Sequence, residues 1–270
     1  MPARNSAADP RDFPVVDSSG DPAAMIALMD LLAPLHRVPK SLLLDRLAPE
    51  TARAALDVGC GPGTDAVELA RRMPSGASVE GVDVSEAMLA EARRRAVAAG
   101  LDITFRAGDA SRLPYRDASF DICRVKTVLQ HVGDPLLVIR EMSRVTRPGG
   151  RVGALEIDLS TVVIDYPDRA VTRTILDAFD VAIAQPWAGR QLQRLFREAG
   201  LTDVAVDPVA YTVDHRAVRA IFGPVVTRLR GQGALPPEQA DEWWSWLGRQ
   251  DAAGGYTCGG TVFVVTGTRA

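Results

Sequence analysis

The stretch Ala55-Leu56-Asp57-Val58-Gly59-Cys60-Gly61-Pro62-Gly63-Thr64-Asp65, followed by Gly81-Val82-Asp83-Val84-Ser85, decides the fold. An apolar run opens onto glycines at alternate positions, a helical pattern occupies Asp65 to Met73, and a second apolar run ends on an acid. Strand, glycine turn, helix and acid-terminated strand is how an α/β sheet holds an adenosine-containing cofactor. Glycine, lacking Cβ, lets the backbone approach a ligand, and a carboxylate has two oxygens for two vicinal hydroxyls. A dinucleotide fingerprint would place its third glycine where Thr64 stands; here Gly63 falls one residue early, which turns the reading away from a pyrophosphate.

Outward from this stretch the pattern alternates. Helices are expected over Asp21–Leu32, stopped by Pro34, and over Lys40–Leu47, leading to a strand at Ala54–Val58. After the turn come a strand at Ser78–Val84, a helix at Glu86–Ala99 stopped by Gly100, and strands at Ile103–Ala107 and Phe120–Val125. A helix over Pro135–Thr146 and a strand over Arg151–Ile157 complete the rhythm. Strands alternating with helices imply a parallel sheet with right-handed crossovers, and a ligand site at the carboxyl ends of the strands. Beyond Ser160, residues Thr161–Trp187 read as an inserted helical segment, with further helices at Arg216–Leu229 and Pro237–Leu247. Strands are expected at Leu201–Val213 and Thr261–Thr266.

Composition narrows the partners. With 270 residues, 47% hydrophobic and 24% charged, the chain can bury one α/β core. A net charge of −3 gives no electrostatic case for nucleic acid or an anionic membrane, so a small-molecule substrate is expected, with the protein a monomer or homodimer. Cys60, Cys123 and Cys258 are widely spaced, without the spacing of a disulfide framework or a metal site, so no metal is expected. Residues Met1–Asp12 lack the basic-then-apolar progression of an export signal, and a cytoplasmic setting is the expectation.

Further segments add to the glycine turn. Gly108-Asp109-Ala110 precedes Leu113-Pro114; Ser119-Phe120-Asp121 opens the fourth strand, Leu129-Gln130-His131 follows it, and Arg147-Pro148-Gly149-Gly150-Arg151 introduces the fifth. With Asp57-x-Gly59-x-Gly61-x-Gly63, this order over Leu56–Ile157 resembles the class I S-adenosylmethionine-dependent methyltransferases, nearest their small-molecule branch of ubiquinone/menaquinone type. The resemblance implies a Rossmann-like, seven-stranded, mostly parallel sheet flanked by helices, with an antiparallel terminal strand and a helical lid. Its cofactor is S-adenosyl-L-methionine, leaving as S-adenosyl-L-homocysteine, and the setting it suggests is secondary metabolism.

Carried onto this chain, the resemblance implies that the glycine turn, with Asp57, Gly59, Gly61 and Gly63, passes the amino-acid part of the cofactor. Asp83 meets the ribose, and Asp109 with Ala110 the adenine; Val84, Met88, Arg124 and Val125 complete the expected cofactor set. Asp57 and Gly63 read equally as turn-holding and helix-packing residues, and Arg124 as a structural ion-pair partner. His131 is the first candidate base and Glu156 the second; of Glu156 and Asp158, only one is expected to face the pocket. The expected division is a lead-in over 1–20, a helical cap over 21–50, the cofactor core over 51–160, a lid over 161–187, and the rest of the core over 188–270 with a helical insertion at 214–256. The aromatics Tyr166, Phe179, Trp187, Phe222, Trp243, Trp244 and Trp246 gather in these covering segments and suit a hydrophobic or ring-bearing metabolite. Three alternatives stand beside methyl transfer: cyclisation or rearrangement promoted by the same cofactor, a nicotinamide oxidoreductase, and a non-catalytic cofactor-binding protein.

Overall fold

A computed structural model describes residues 21–270; the expected lead-in over 1–20 lies outside the described residues. Strands β1 (Ala54–Val58), β2 (Ser78–Asp83), β3 (Ile103–Ala107), β4 (Phe120–Lys126), β5 (Thr146–Ile164), β6 (Leu201–Thr212) and β7 (Cys258–Arg269) form one sheet in the order β3-β2-β1-β4-β5-β7-β6. The pairs from β3 across to β5 are parallel, and β7 runs antiparallel to both β5 and β6. The strand order reverses between β1 and β4, which puts a crevice at their carboxyl ends, where the glycine turn leaves β1.

The helices cover both faces. On one, α2 (Arg37–Leu47), α3 (Thr64–Arg72) and α4 (Glu86–Ala98) bury Leu43, Leu47, Leu69, Leu89 and Ala92. On the other, α5 (Pro135–Val145) and α7 (Ala188–Glu198) bury Val138, Ile139, Met142, Leu192 and Phe196. Local chemistry sets the ends. Ser85 Oγ accepts from the Met88 amide at 3.1 Å to start α4, and Asp134 Oδ1 from Leu137 at 3.1 Å to start α5. The helix before them, α1 (Pro22–Leu32), opens on an Asp21 cap and a first-turn proline.

A separate core lies past the carboxyl end of the sheet. There α6 (Arg169–Asp180), α8 (His215–Gly231) and α9 (Pro237–Ala252) bury Val171, Ile175, Phe222, Val226, Trp243 and Leu247 against Val213 and Cys258, beside the ends of β6 and β7. Most of the aromatics of the covering segments are spent here. Trp243 is fully buried, its indole N–H 3.4 Å from Thr172 Oγ1, while Trp246 donates to the Asp165 carbonyl at 3.2 Å.

Strand β5 corrects one expectation. It continues past Ile157 to Ile164, so the segment from Thr161 begins as strand and becomes helical only at Arg169. The run Thr161-Val162-Val163-Ile164 is β-branched throughout and suits a pleated surface. An irregularity between Asp158 and Val163 interrupts the pairing with β7, which resumes at Val163–Gly259 and Ile164–Cys258. Thr161 Oγ1 bridges the break, accepting from the Thr261 amide at 2.8 Å and donating to the Asp158 carbonyl at 2.7 Å.

Candidate active site

The glycine turn is left-handed at Gly59, Gly61 and Gly63, with φ of 63°, 51° and 77°. The three differ in what a side chain would meet. A Cβ on Gly59 would come within 2.3 Å of Val128 Cγ2, and one on Gly63 within 2.7 Å of Ala92 Cβ; both glycines serve close packing. At Gly61 the nearest atom is Met29 Sδ at 3.7 Å, so the turn presents bare backbone there. Asp83, closing β2, accepts from the Gly61 amide through Oδ2 at 2.9 Å and from the Ser85 amide through Oδ1 at 3.0 Å. The turn that follows β3 is tied in by the Gly108 amide, which donates to the Asp83 carbonyl at 3.0 Å. Asp109 lies exposed in that turn and accepts from both the amide and hydroxyl of Ser111 at 2.8 Å. Met88 and Val125 are buried, Ala110 is half-buried and Val84 exposed along this edge. A bare backbone cradle flanked by a strand-end carboxylate and an exposed Asp turn fits an S-adenosyl group.

Beneath the turn lies a network of charges with few parallels in the rest of the core. Asp57 and Arg124 are register partners on β1 and β4, both buried, with Nε 3.1 Å from Oδ1. The same guanidinium lies 3.4 Å from Asp65 on α3, which also takes Lys126 and Lys40 at 2.7 Å each. Lys40 reaches Glu68 at 2.9 Å as well. Burial opposes the Asp65 charge, but the surrounding Lys126, Arg124 and Lys40 hold its carboxyl far below the usual range. For Asp57 burial wins over Arg124, and its carboxyl is pushed up to about 6. Arg124 is thus engaged by two acids of its own chain. His36, in the turn before α2, is buried beside Lys126, Asp65 and Lys40; burial first and Lys126 second lower it to about 4, so it is neutral at pH 7.

The loop after β4 is held from below. Glu156 is fully buried, and its Oε1 accepts from the amides of Val128 at 2.8 Å and Leu129 at 2.7 Å, while Oε2 has no partner. Burial pushes this carboxyl up to about 8 against those amides, so the group carries its proton at neutral pH. Val128, pinned this way, is the residue that packs into the space left by Gly59. Further along, His131 Nε2 lies 3.1 Å from Gln130 Nε2, and burial lowers the imidazole to about 4. Gln185 closes over this loop, its amide donating to the Gln130 carbonyl at 2.9 Å and its side chain to Gly133 at 3.3 Å.

The expectation that only one of Glu156 and Asp158 faces inward is corrected. Residues two apart in a regular strand share a face, and both acids are fully buried. Asp158 is bound in a fork by Arg190 Nε and Nη2, the latter at 2.6 Å, with the Trp187 ring 5.8 Å from the same guanidinium. The structure therefore draws the glycine turn, Asp83 and the Asp109 turn to one end of the sheet, and places Asp57, Arg124 and Glu156 in supporting positions beneath it. Asp65, Lys40, Lys126 and Val128 were not singled out from the sequence. The visible signal was a pair of cations, Arg124 and Lys126, at the end of a strand whose middle is apolar.

A sheet of this order with an acid-terminated second strand and a bare glycine cradle defines a nucleoside-cofactor-binding fold. Comparison with known proteins makes the class specific. A family model described as a methyltransferase domain matches residues 55–150. A demethylmenaquinone methyltransferase of Halalkalibacterium halodurans is 33% identical over 189 residues, covering 64% of this chain and 77% of that protein. An uncharacterized 37.1 kDa protein in transposon TN4556 of Streptomyces fradiae is 36% identical over 249 residues, covering 89% of this chain and 70% of that protein. Among solved structures, the YcgJ protein from Bacillus subtilis superposes with a TM-score of 0.62 at 18% identity, covering 87% of this chain and 99% of that one. The chain belongs to the class I S-adenosylmethionine-dependent methyltransferases. The nicotinamide alternative falls with that membership. Among the described residues no helix is long and apolar enough to cross a membrane.

Proposed function

We propose that this methyltransferase acts on a small, lipophilic or ring-bearing metabolite. The observation that carries the reading is the character of α1, the helix above the glycine turn: apart from Asp30 its residues are Pro, Ala, Met, Ile and Leu, none is fully buried, and Met29 stands over Gly61. An incompletely covered apolar surface beside a polar cofactor cradle suits an acceptor that is mostly hydrocarbon. A relative named as a demethylmenaquinone methyltransferase supports a small-molecule acceptor. The covering elements are α1, α2 and the group α6, α8 and α9, which we read as cap and lid.

Bound at the turn, S-adenosylmethionine supplies an electrophilic methyl group on a sulfonium. The chain's own part is to orient the acceptor and exclude water. Asp83 and the Asp109 turn are the residues that would hold ribose and adenine, and the amides around Gly61 border the amino-acid portion. Glu156 acts by positioning, through the amides of Val128 and Leu129. We read His131, neutral and on the loop after β4, as the candidate to take a proton from the acceptor, its Nε2 being 3.1 Å from Gln130 Nε2. All described cysteines are free and buried, which suits a reducing, cytoplasmic setting. The test is incubation with methyl-labelled cofactor and a metabolite extract partitioned between organic and aqueous phases. The proposal expects enzyme-dependent label in the organic phase; label confined to the aqueous phase overturns it.

A further inference from the structure

Helix α1 carries a single charged residue, Asp30, and spends it on one contact. Arg95 of α4 grips that carboxylate in a fork, Nη1 to Oδ1 and Nη2 to Oδ2, both at 2.8 Å. The same Nη1 donates to Thr64 Oγ1 at 2.6 Å, and Nε donates to Glu91 Oε1 at 2.6 Å, which fixes the guanidinium plane. Thr64 is the first residue of α3, directly after Gly63, at the position where a dinucleotide fingerprint would carry glycine. Arg95 thus joins the first turn beyond the glycine loop to the apolar helix above it. The residue before Asp30, Met29, is the one whose sulfur stands over Gly61. One turn of α1 therefore both faces the cofactor cradle and is tied to it.

We propose that Thr64, Arg95 and Asp30 form a latch that couples occupancy of the glycine turn to the seating of α1, with Arg95 as its positioning residue. The coupling has a physical basis. The apolar side chains of α1, Met25, Ile26, Leu28, Met29, Leu31 and Leu32, are half-buried and none is fully buried, so packing holds the helix only in part and a bidentate charge-assisted pair adds to its attachment. Asp30 is half-exposed and Arg95 mostly buried, so the pair is open to water on one side and can be released. Cofactor ordering the turn fixes Thr64, Thr64 fixes Arg95, and Arg95 holds α1 over the site. By reciprocity, seating α1 tightens binding of the cofactor product, and a helix held over the turn stands in the way of its departure.

The inference rests on the cofactor reading only through its probe, S-adenosylhomocysteine. Amide hydrogen exchange over residues 21–36 is compared with and without saturating S-adenosylhomocysteine in the wild type, Thr64→Val and Asp30→Asn, alongside the dissociation rate of the probe. The expected result is slower exchange of α1 on binding in the wild type, loss of that slowing in both variants, and dissociation faster by about threefold to tenfold. Asp30→Glu, which keeps the charge, restores part of the slowing. A wild type that binds the probe with unchanged exchange in α1, or variants that keep the full slowing, overturns the latch alone. A wild type that does not bind the probe overturns the latch and the cofactor site together.

Discussion

Glu156→Gln separates the charge of this residue from its geometry. The amide oxygen keeps the hydrogen bonds from Val128 and Leu129, and the amide nitrogen takes the place of the partnerless Oε2. What the substitution removes is a titration. The carboxyl is raised from its ordinary 4.5 to about 8 in the folded protein. A folded value above the unfolded one means stability fully present below about pH 4.5 and lost as pH rises through about 8. Across that window each pH unit costs about 1.4 kcal/mol, so the wild type surrenders about 3 kcal/mol between roughly pH 5 and pH 7.5 through this group. Against a total of about 5–15 kcal/mol that is a large share. His36 and His131, lowered to about 4, act in the opposite direction, since the unfolded state binds their protons first. They titrate equally in both proteins and cancel in the difference. Urea unfolding of wild type and Glu156→Gln at both pH values yields that difference, free of any constant cost of the amide. The variant is expected to gain about 2–3 kcal/mol on the wild type at the higher pH. Parallel pH profiles would refute the neutral, buried carboxyl and the positioning role built on it.

Gly59→Ala adds a Cβ 2.3 Å from Val128 Cγ2 at a φ of 63°. The left-handed backbone and the overpacking together cost about 2–5 kcal/mol in chemical denaturation, part of it recovered by Val128→Ala; a loss below about 1 kcal/mol contradicts the packing described. Arg124→Met strands Asp57 in the core, a loss of about 3–5 kcal/mol that the double variant with Asp57→Asn largely recovers. Should the double variant be as unstable as the single, the pair is not the reason Arg124 is buried.

Much of the cofactor half was legible because its residues are consecutive. Gly59 to Gly63 and the acid at Asp83 form a local pattern, and local patterns survive without knowledge of the sheet. Arg124 was legible as an ion-pair partner, but its partners were not, because Asp57 faces Arg124 only through the pairing of β1 with β4, strands separated in sequence by two others. The distinction among the glycines was hidden for a similar reason: the partner of Gly59 is Val128, 69 residues away on a loop that Glu156 pins. Glu156 and Asp158 are a different case. Residues two apart in a strand share a face, so the expectation that only one faces inward misread their spacing, and the structure shows one beneath the loop and the other in the grip of Arg190. The covering helices announced their aromatic content but not its use, since the burial of Trp243 depends on how α6, α8 and α9 pack together.

The most direct measurement is a crystal structure of the protein with S-adenosylhomocysteine. The account predicts the ribose hydroxyls at the Asp83 carboxylate, the adenine at the Asp109 turn, and the amino-acid portion along the bare backbone at Gly61 beneath Met29. Ligand density elsewhere on the chain, or a ribose not in contact with Asp83, would contradict it.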